Sequence, residues 1–202
     1  KRCLVLTFNL ALVSDTKRLL ALGEVPEAID SATVSIQSLQ SFFFALLKAF
    51  GLSTADFLEK YTEHLETFKQ YLDTNTIQDS DIQALMTARH DELSWDHVLV
   101  DEAQDWQQPE RDILYRLFGS KSLVIADGID QLVRSTNKID WNTGIPFERI
   151  HERRCLRQKR NLVQFVNAYA EHFAIPWSLE PVEDLQGGRI IVVPRLYDFP
   201  LF

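Results

Sequence analysis

His97-Val98-Leu99-Val100-Asp101-Glu102-Ala103-Gln104-Asp105 is an apolar run that ends in two adjacent carboxylates, a glutamine and a third carboxylate. The Val/Leu stretch has the length and β-branched content of a strand buried in a parallel sheet. Ligands of open α/β sheets gather at the carboxyl ends of such strands, where Asp101 and Glu102 emerge. Two acids there suit phosphoryl transfer: an aspartate holds Mg²⁺ through its water shell, and a neighbouring acid orients and deprotonates the attacking water. A lone Asp-Glu pair after a strand is more often a helix cap, but Asp-Glu-Ala-Gln-Asp is far more specific. The fold class that follows is α/β, with nucleotide hydrolysis as the chemistry to seek along the rest of the chain.

The 202 residues suffice for one substantial core, or for one domain with part of another. With 46% hydrophobic and 25% charged residues and a mean hydropathy of -0.14, the composition is that of an ordinary globular protein. A formal charge of -8 and a pI near 5.1 argue against nucleic-acid binding through overall basicity, so any such contact is a local groove. Cys3 and Cys155 have neither zinc-site spacing nor a disulfide framework, which points to a reducing cytoplasm. No apolar run approaches the roughly 18 residues of a membrane span, and Lys1 to Phe8 is too short for a signal-peptide core. A soluble chain with no membrane partner is expected.

Outward from the central strand, elements alternate. Cys3 to Phe8 and Thr33 to Ile36 read as strands, with a helix through Leu19-Leu20 between them. Leu39 to Phe50 predicts an apolar helix, stopped by Gly51 and rich enough in phenylalanine to be buried on more than one side. Ser53 to Asp91 changes to charged amphipathic helices, with Phe57, Leu58, Tyr61, Leu65, Phe68 and Tyr71-Leu72 spaced near three and four. Within it Asn75 to Asp81 is a break, and Asp81 to Arg89 a last helix. Ser122 to Ala126 is the next buried strand, Phe147 to Ile150 a weaker one, Arg160 to Phe173 a strong helix, and Arg189 to Val193 a final strand.

Val100-Asp101-Glu102-Ala103-Gln104-Asp105 resembles the Walker B segment, motif II, of superfamily one helicases of the UvrD/Rep type. Four further segments resemble that family's motifs in order: Leu6-Thr7-Phe8-Asn9 motif Ia, Ser38-Leu39-Gln40-Ser41-Phe42 motif Ib, Asp127-Gly128-Ile129-Asp130-Gln131 motif III, and Cys155-Leu156-Arg157-Gln158 motif IV. Motif III departs from the usual Gly-Asp-x-x-Gln by one residue of register, and in motif IV Cys155 and Leu156 replace Asn and Tyr.

The resemblance implies an incomplete RecA-like P-loop NTPase core, a parallel sheet flanked by helices, with a small helical insertion. It implies ATP and Mg²⁺ as cofactors. Asp101 would hold the metal, Glu102 would activate water, and Gln131 would sense the γ-phosphate. Arg157 would stabilise transferred charge, with Arg160 as the other candidate, because a guanidinium stays charged and donates several fixed hydrogen bonds to phosphoryl oxygens. Gln104 and Asp105 would belong to the cofactor site and couple it to neighbouring motifs. Thr7, Phe8, Asn9, Ser38 and Gln40 would line the path of single-stranded or partly duplex DNA, offering polar groups to phosphates and ring faces to bases.

The division implied is residues 1–52 for the first part of domain 1A, 53–91 for the 1B-like insertion, 92–145 for the rest of 1A, and 146–202 for the start of a 2A-like domain.

No Gly-x-x-x-x-Gly-Lys-Ser/Thr phosphate loop occurs among the seven glycines. In the family that loop precedes motif Ia, and motifs V and VI follow motif IV. The chain is therefore expected to be an internal piece of a helicase whose remaining chain is its main partner, inactive alone, and prone to self-association through unpaired sheet edges. Two other classes stay open. One is a helicase-like module that binds or regulates without hydrolysis; the other is a metal-dependent phosphatase or nuclease built on Asp101, Glu102 and Asp105.

Overall fold

The computed structural model describes residues 1–8, 10–23, 33–53, 55–128, 138–142, 148–150, 154–155, 158–176, 178–182 and 187. The chain divides into two units, Lys1–Pro146 and Phe147–Phe202.

Among the described residues the first unit has four short strands, β1 (Cys3–Thr7), β2 (Val34–Ser38), β3 (His97–Val100) and β4 (Leu123–Ile125). They form one wholly parallel sheet in the order β2-β1-β3-β4. Register places Leu4 beside Val98 and Leu6 beside Val100, with Leu123 next to Val98. All five side chains are buried on one face, as the apolar content of a parallel strand requires. The alternate positions differ: Val5 and Leu99 are half-buried and Val124 is exposed.

Seven helices accompany the strands among the described residues: α1 (Leu10–Leu22), α2 (Leu39–Ala49), α3 (Tyr61–Asp73), α4 (Asp79–Ala88), α5 (His90–Leu93), α6 (Gln108–Phe118) and α7 (Arg160–His172). Helix α2 follows β2 without a loop because Ser38 ends the strand and caps the helix, its Oγ accepting from the Ser41 N–H at 3.2 Å. Leu39, Phe42, Phe43, Leu46 and Leu47 are buried, the breadth of burial expected of this sequence. Phe44 is half-exposed and packs edge-on against Phe57, ring centroids 5.2 Å apart.

Helix α3 buries Tyr61, Leu65, Phe68 and Leu72, one stripe at helical spacing, and packs on α6. Ile113, Leu114 and Leu117 supply the facing stripe. These helices share one continuous core with the sheet. Helix α6 starts where Gln107 and Glu110 exchange hydrogen bonds, the Gln107 N–H donating to Glu110 Oε2 at 2.6 Å. It ends at Gly119, whose φ of 69° favours glycine.

Some boundaries differ from the expectation. Strand β2 runs on through Ser38 because Gln37 and Ser38 keep their ladder partners Leu6 and Thr7. Helix α4 begins at Asp79 rather than Asp81, since the Asp81 carboxylate accepts the Gln78 N–H at 2.9 Å and so lies inside the first turn.

In the second unit, two-residue strands β5 (Arg154–Cys155) and β6 (Glu180–Pro181) pair in parallel. The Asn167 amide on α7 ties down the approach to β6, donating to the Leu179 carbonyl at 2.9 Å and accepting its N–H at 2.8 Å. The expected strand over 147–150 does not form at its described residues, 148–150. Ile150 is 85% exposed: with no partner strand among the described residues, it has nothing to bury against. The strand expected over 189–193 lies outside the described residues. No helix among the described residues is long and apolar enough to cross a membrane.

Candidate functional site

The strand order creates a switch point. From β1 the chain moves to β2 on one side, then returns across β1 to β3 on the other. In doubly wound sheets the crevice between the two diverging strands, at their carboxyl ends, is where ligands bind. Thr7 and Phe8 end β1 at this place, and Asp101 and Glu102 end β3.

Asp101 continues the ladder for one residue, its N–H donating to the Leu6 carbonyl at 2.9 Å. Glu102 then turns the chain with φ 49° and ψ 44°, a left-handed conformation uncommon for a residue with a side chain. Ala103–Asp105 follow as a single 3₁₀ turn. Both carboxylate-bearing residues, Asp101 and Glu102, stay partly exposed, whereas Ala103, Gln104 and Asp105 are buried.

Several bonds hold this turn. The Ala103 N–H donates to the Ala126 carbonyl at 2.9 Å, joining the segment after β3 to the one after β4. Trp106, 1% exposed, donates its indole N–H to the Asp101 carbonyl at 3.0 Å. Trp141 donates its own to the Ala103 carbonyl at 2.7 Å, and the two indoles meet edge to face at 5.7 Å. The Tyr115 hydroxyl on α6 donates to the Trp141 carbonyl at 2.6 Å. Burial raises the Tyr115 hydroxyl above the ordinary tyrosine value and keeps it a donor.

Gln104 links the two strand ends directly. Its Nε2 donates to Glu102 Oε2 at 2.6 Å, and its Oε1 accepts the Gly128 N–H at 2.7 Å. Beside it, Lys138 pairs with Asp127 at 2.8 Å and donates to the Gly128 carbonyl at 2.9 Å.

Of the residues singled out in the sequence, the structure gathers Asp101, Glu102, Gln104 and Asp105 into one turn, with Thr7 and Phe8 on the neighbouring strand end. Thr7 is 1% exposed and its Oγ1 has no hydrogen-bond partner among the described residues. Ser38 is engaged as the cap of α2, and Gln40 is exposed on that helix. Arg160 is exposed as the first residue of α7 in the second unit. Asn9, Gln131 and Arg157 lie outside the described residues.

Trp106, Gly128, Lys138 and Trp141 escaped sequence reasoning as parts of the site. Only Gly128 carried a signal, as a member of the segment that resembles motif III.

Fitness for a divalent cation follows from the donors present. Among the described residues no group of three His, Cys, Asp or Glu side chains forms a cage. Mg²⁺ does not need one, because it keeps several waters and takes one or two carboxylates together with substrate phosphates. Asp101 and Glu102 are hard oxygen donors of that kind, adjacent and partly open to solvent. A carboxylate-only nuclease centre asks for more acids at other strand ends. Thr7-Phe8 and Ser38 end β1 and β2, and Asp127 beyond β4 is already paired with Lys138.

No family model, no curated protein and no solved structure matches the chain.

Proposed function

We propose that this chain carries the metal-and-water half of an ATP-hydrolysing DNA translocase or helicase, of the kind that UvrD/Rep-like superfamily one proteins represent. The observation behind the reading is the delivery of Asp101 and Glu102 together by a buried parallel strand to the switch point of the sheet. In this reading the sheet is a RecA-like core and the protein works in the cytoplasm.

Bound Mg²⁺ would neutralise phosphate charge at Asp101 and orient the phosphoryl group for in-line attack. The chain's own contribution begins with Glu102, whose carboxylate orients a water and takes its proton. The left-handed turn and Gln104 aim that carboxylate. Gln131 reads the γ-phosphate, and Arg157 or Arg160 meets the charge that develops on it. Thr7 and Phe8 at the carboxyl end of β1, Ser38 at that of β2 and Gln40 on α2, with Asn9 next to Phe8 in sequence, border a path for single-stranded DNA. The 202 residues hold no phosphate loop, so the reading requires a phosphate cradle from chain outside them.

The test is Mg²⁺-dependent ATP hydrolysis by the complete protein carrying these residues, with and without single-stranded DNA. Hydrolysis stimulated by DNA supports the reading. DNA cleavage with Mg²⁺ or Mn²⁺ and no ATP replaces it with the nuclease class, and DNA binding with neither activity replaces it with the regulatory module.

A further inference from the structure

Glu110 is fully buried, and the hydrolysis proposed above makes no use of it. It stands in the first turn of α6, where its Oε2 accepts the Gln107 main-chain N–H at 2.6 Å and the Gln107 side chain accepts the Glu110 main-chain N–H in return. That exchange is a capping box, complete within one helix. The second carboxyl oxygen serves another element. Tyr61, the first residue of α3, donates its hydroxyl to Oε1 at 2.8 Å, and the next residue, Thr62, donates to Gln107 Oε1 at 3.1 Å. The start of α3 therefore grips both members of the α6 cap, from 49 and 45 positions away in the chain.

The cap of α6 is also the exit from the turn that carries the acids. The N–H held by Glu110 belongs to the peptide that joins Trp106 to Gln107, so it fixes the place where Trp106 leaves that turn. Trp106 in turn reaches back with its indole N–H to the Asp101 carbonyl at 3.0 Å. One carboxyl group thus stands between α3 and the residue that closes the turn. Its two oxygens belong to one rigid plane that rotates as a unit, so neither contact moves without the other. At the α3 end the Tyr61 ring is set edge-on between Phe57 at 5.3 Å and Phe43 at 6.4 Å, and its hydroxyl follows the helix. Interiors packed this closely pass small shifts on instead of absorbing them.

We propose that Glu110 is a positioning residue through which the start of α3 sets the turn bearing Asp101 and Glu102. A displacement of Tyr61 turns the Glu110 carboxyl, shifts the Trp106–Gln107 peptide and, through the indole, moves Asp101. Helix α3 lies between β2 and β3 in the chain, so this stretch becomes a lever on the acids after β3. A molecule that draws α3 aside alters them without touching the site. The consequence for hydrolysis rests on those acids having the role proposed above, whereas the linkage rests on the geometry alone.

The test is nuclear magnetic resonance on the ¹⁵N,¹³C-labelled chain. Tyr61→Phe keeps the ring and withdraws the hydroxyl. It is expected to shift the Trp106 indole N–H and the Asp101 carbonyl carbon, while the Leu123 amide on β4 keeps its position. In a Glu110→Ala background the same substitution is expected to leave Trp106 and Asp101 unmoved, because the link is already cut. An equal response in both backgrounds, or a shift at Leu123 as large as that at Trp106, overturns the proposal. The first arm needs no change at Glu110, so an unmoved Trp106 indole in the Tyr61→Phe chain overturns it whatever Glu110→Ala does to folding. No nucleotide enters these readouts, so a failed linkage and a failed hydrolysis reading are told apart.

Discussion

The Trp106 indole N–H donates to the main-chain carbonyl of Asp101 at 3.0 Å, five residues back along the chain. This bond closes the turn that carries both acids and sets the direction in which the chain leaves β3. A ring that is 1% exposed also anchors the turn in the core, so the site's geometry and the stability of the first unit are joined at one side chain.

Trp106→Phe removes the donor, leaves the Asp101 carbonyl without that partner, and opens a small void. The expected loss is about 2–4 kcal/mol of unfolding free energy. Urea denaturation followed by circular dichroism reads it; a change below about 0.5 kcal/mol, the range of ordinary surface substitutions, contradicts the assigned role.

Tyr61 on α3 donates its hydroxyl to Glu110 Oε1 on α6 at 2.8 Å, and Glu110 is fully buried. Tyr61→Phe keeps the ring and withdraws one donor from a buried carboxylate, at an expected cost of about 1–3 kcal/mol. Glu110→Gln in the Tyr61→Phe background is expected to recover part of it, because a neutral amide is cheaper to leave under-bonded than a charge. Absence of recovery in the urea midpoint contradicts the dependence of Glu110 on the Tyr61 hydroxyl.

Asp96 accepts the Arg2 N–H at 2.6 Å, and this bond holds its carboxyl below the ordinary aspartate value, against a smaller opposing effect of desolvation. A lowered folded value means stability that is present above the unfolded pKa of about 3.9 and is lost as pH falls through the folded value. The difference in urea midpoint between the parent chain and Asp96→Asn should therefore shrink as pH falls below that range. A difference that grows toward acid contradicts it.

With no phosphate loop among its residues, the 202-residue chain is expected to bind Mg-ATP weakly or not at all. Micromolar affinity in isothermal titration contradicts that expectation.

What the sequence made legible depended on how local each signal was. Val98-Leu99-Val100 reads as a buried strand from composition alone, and Asp101-Glu102 reads as a strand-end pair because the acids follow it directly. Helix α2 is legible from its own aromatic stripe and from Ser38 and Gly51 at its ends. The bond between Tyr61 and Glu110 spans 49 positions, and nothing in either neighbourhood announces the partner. Trp141 reads as an isolated aromatic until the fold sets its N–H on the Ala103 carbonyl. The weak strand over 147–150 failed for the reverse reason: two apolar residues flank a charged pair, but a strand needs a partner, and residues 148–150 have none among the described residues.

The most direct test of the central claim is single-turnover ATP hydrolysis by the complete protein carrying Glu102→Gln, with ATP binding measured beside it. Removing the base while keeping the shape should slow hydrolysis on the order of 10²–10⁴-fold and leave nucleotide affinity within a few-fold of the parent. Hydrolysis at the parent rate would contradict the assignment of Asp101-Glu102 as the metal-and-water half of a motor.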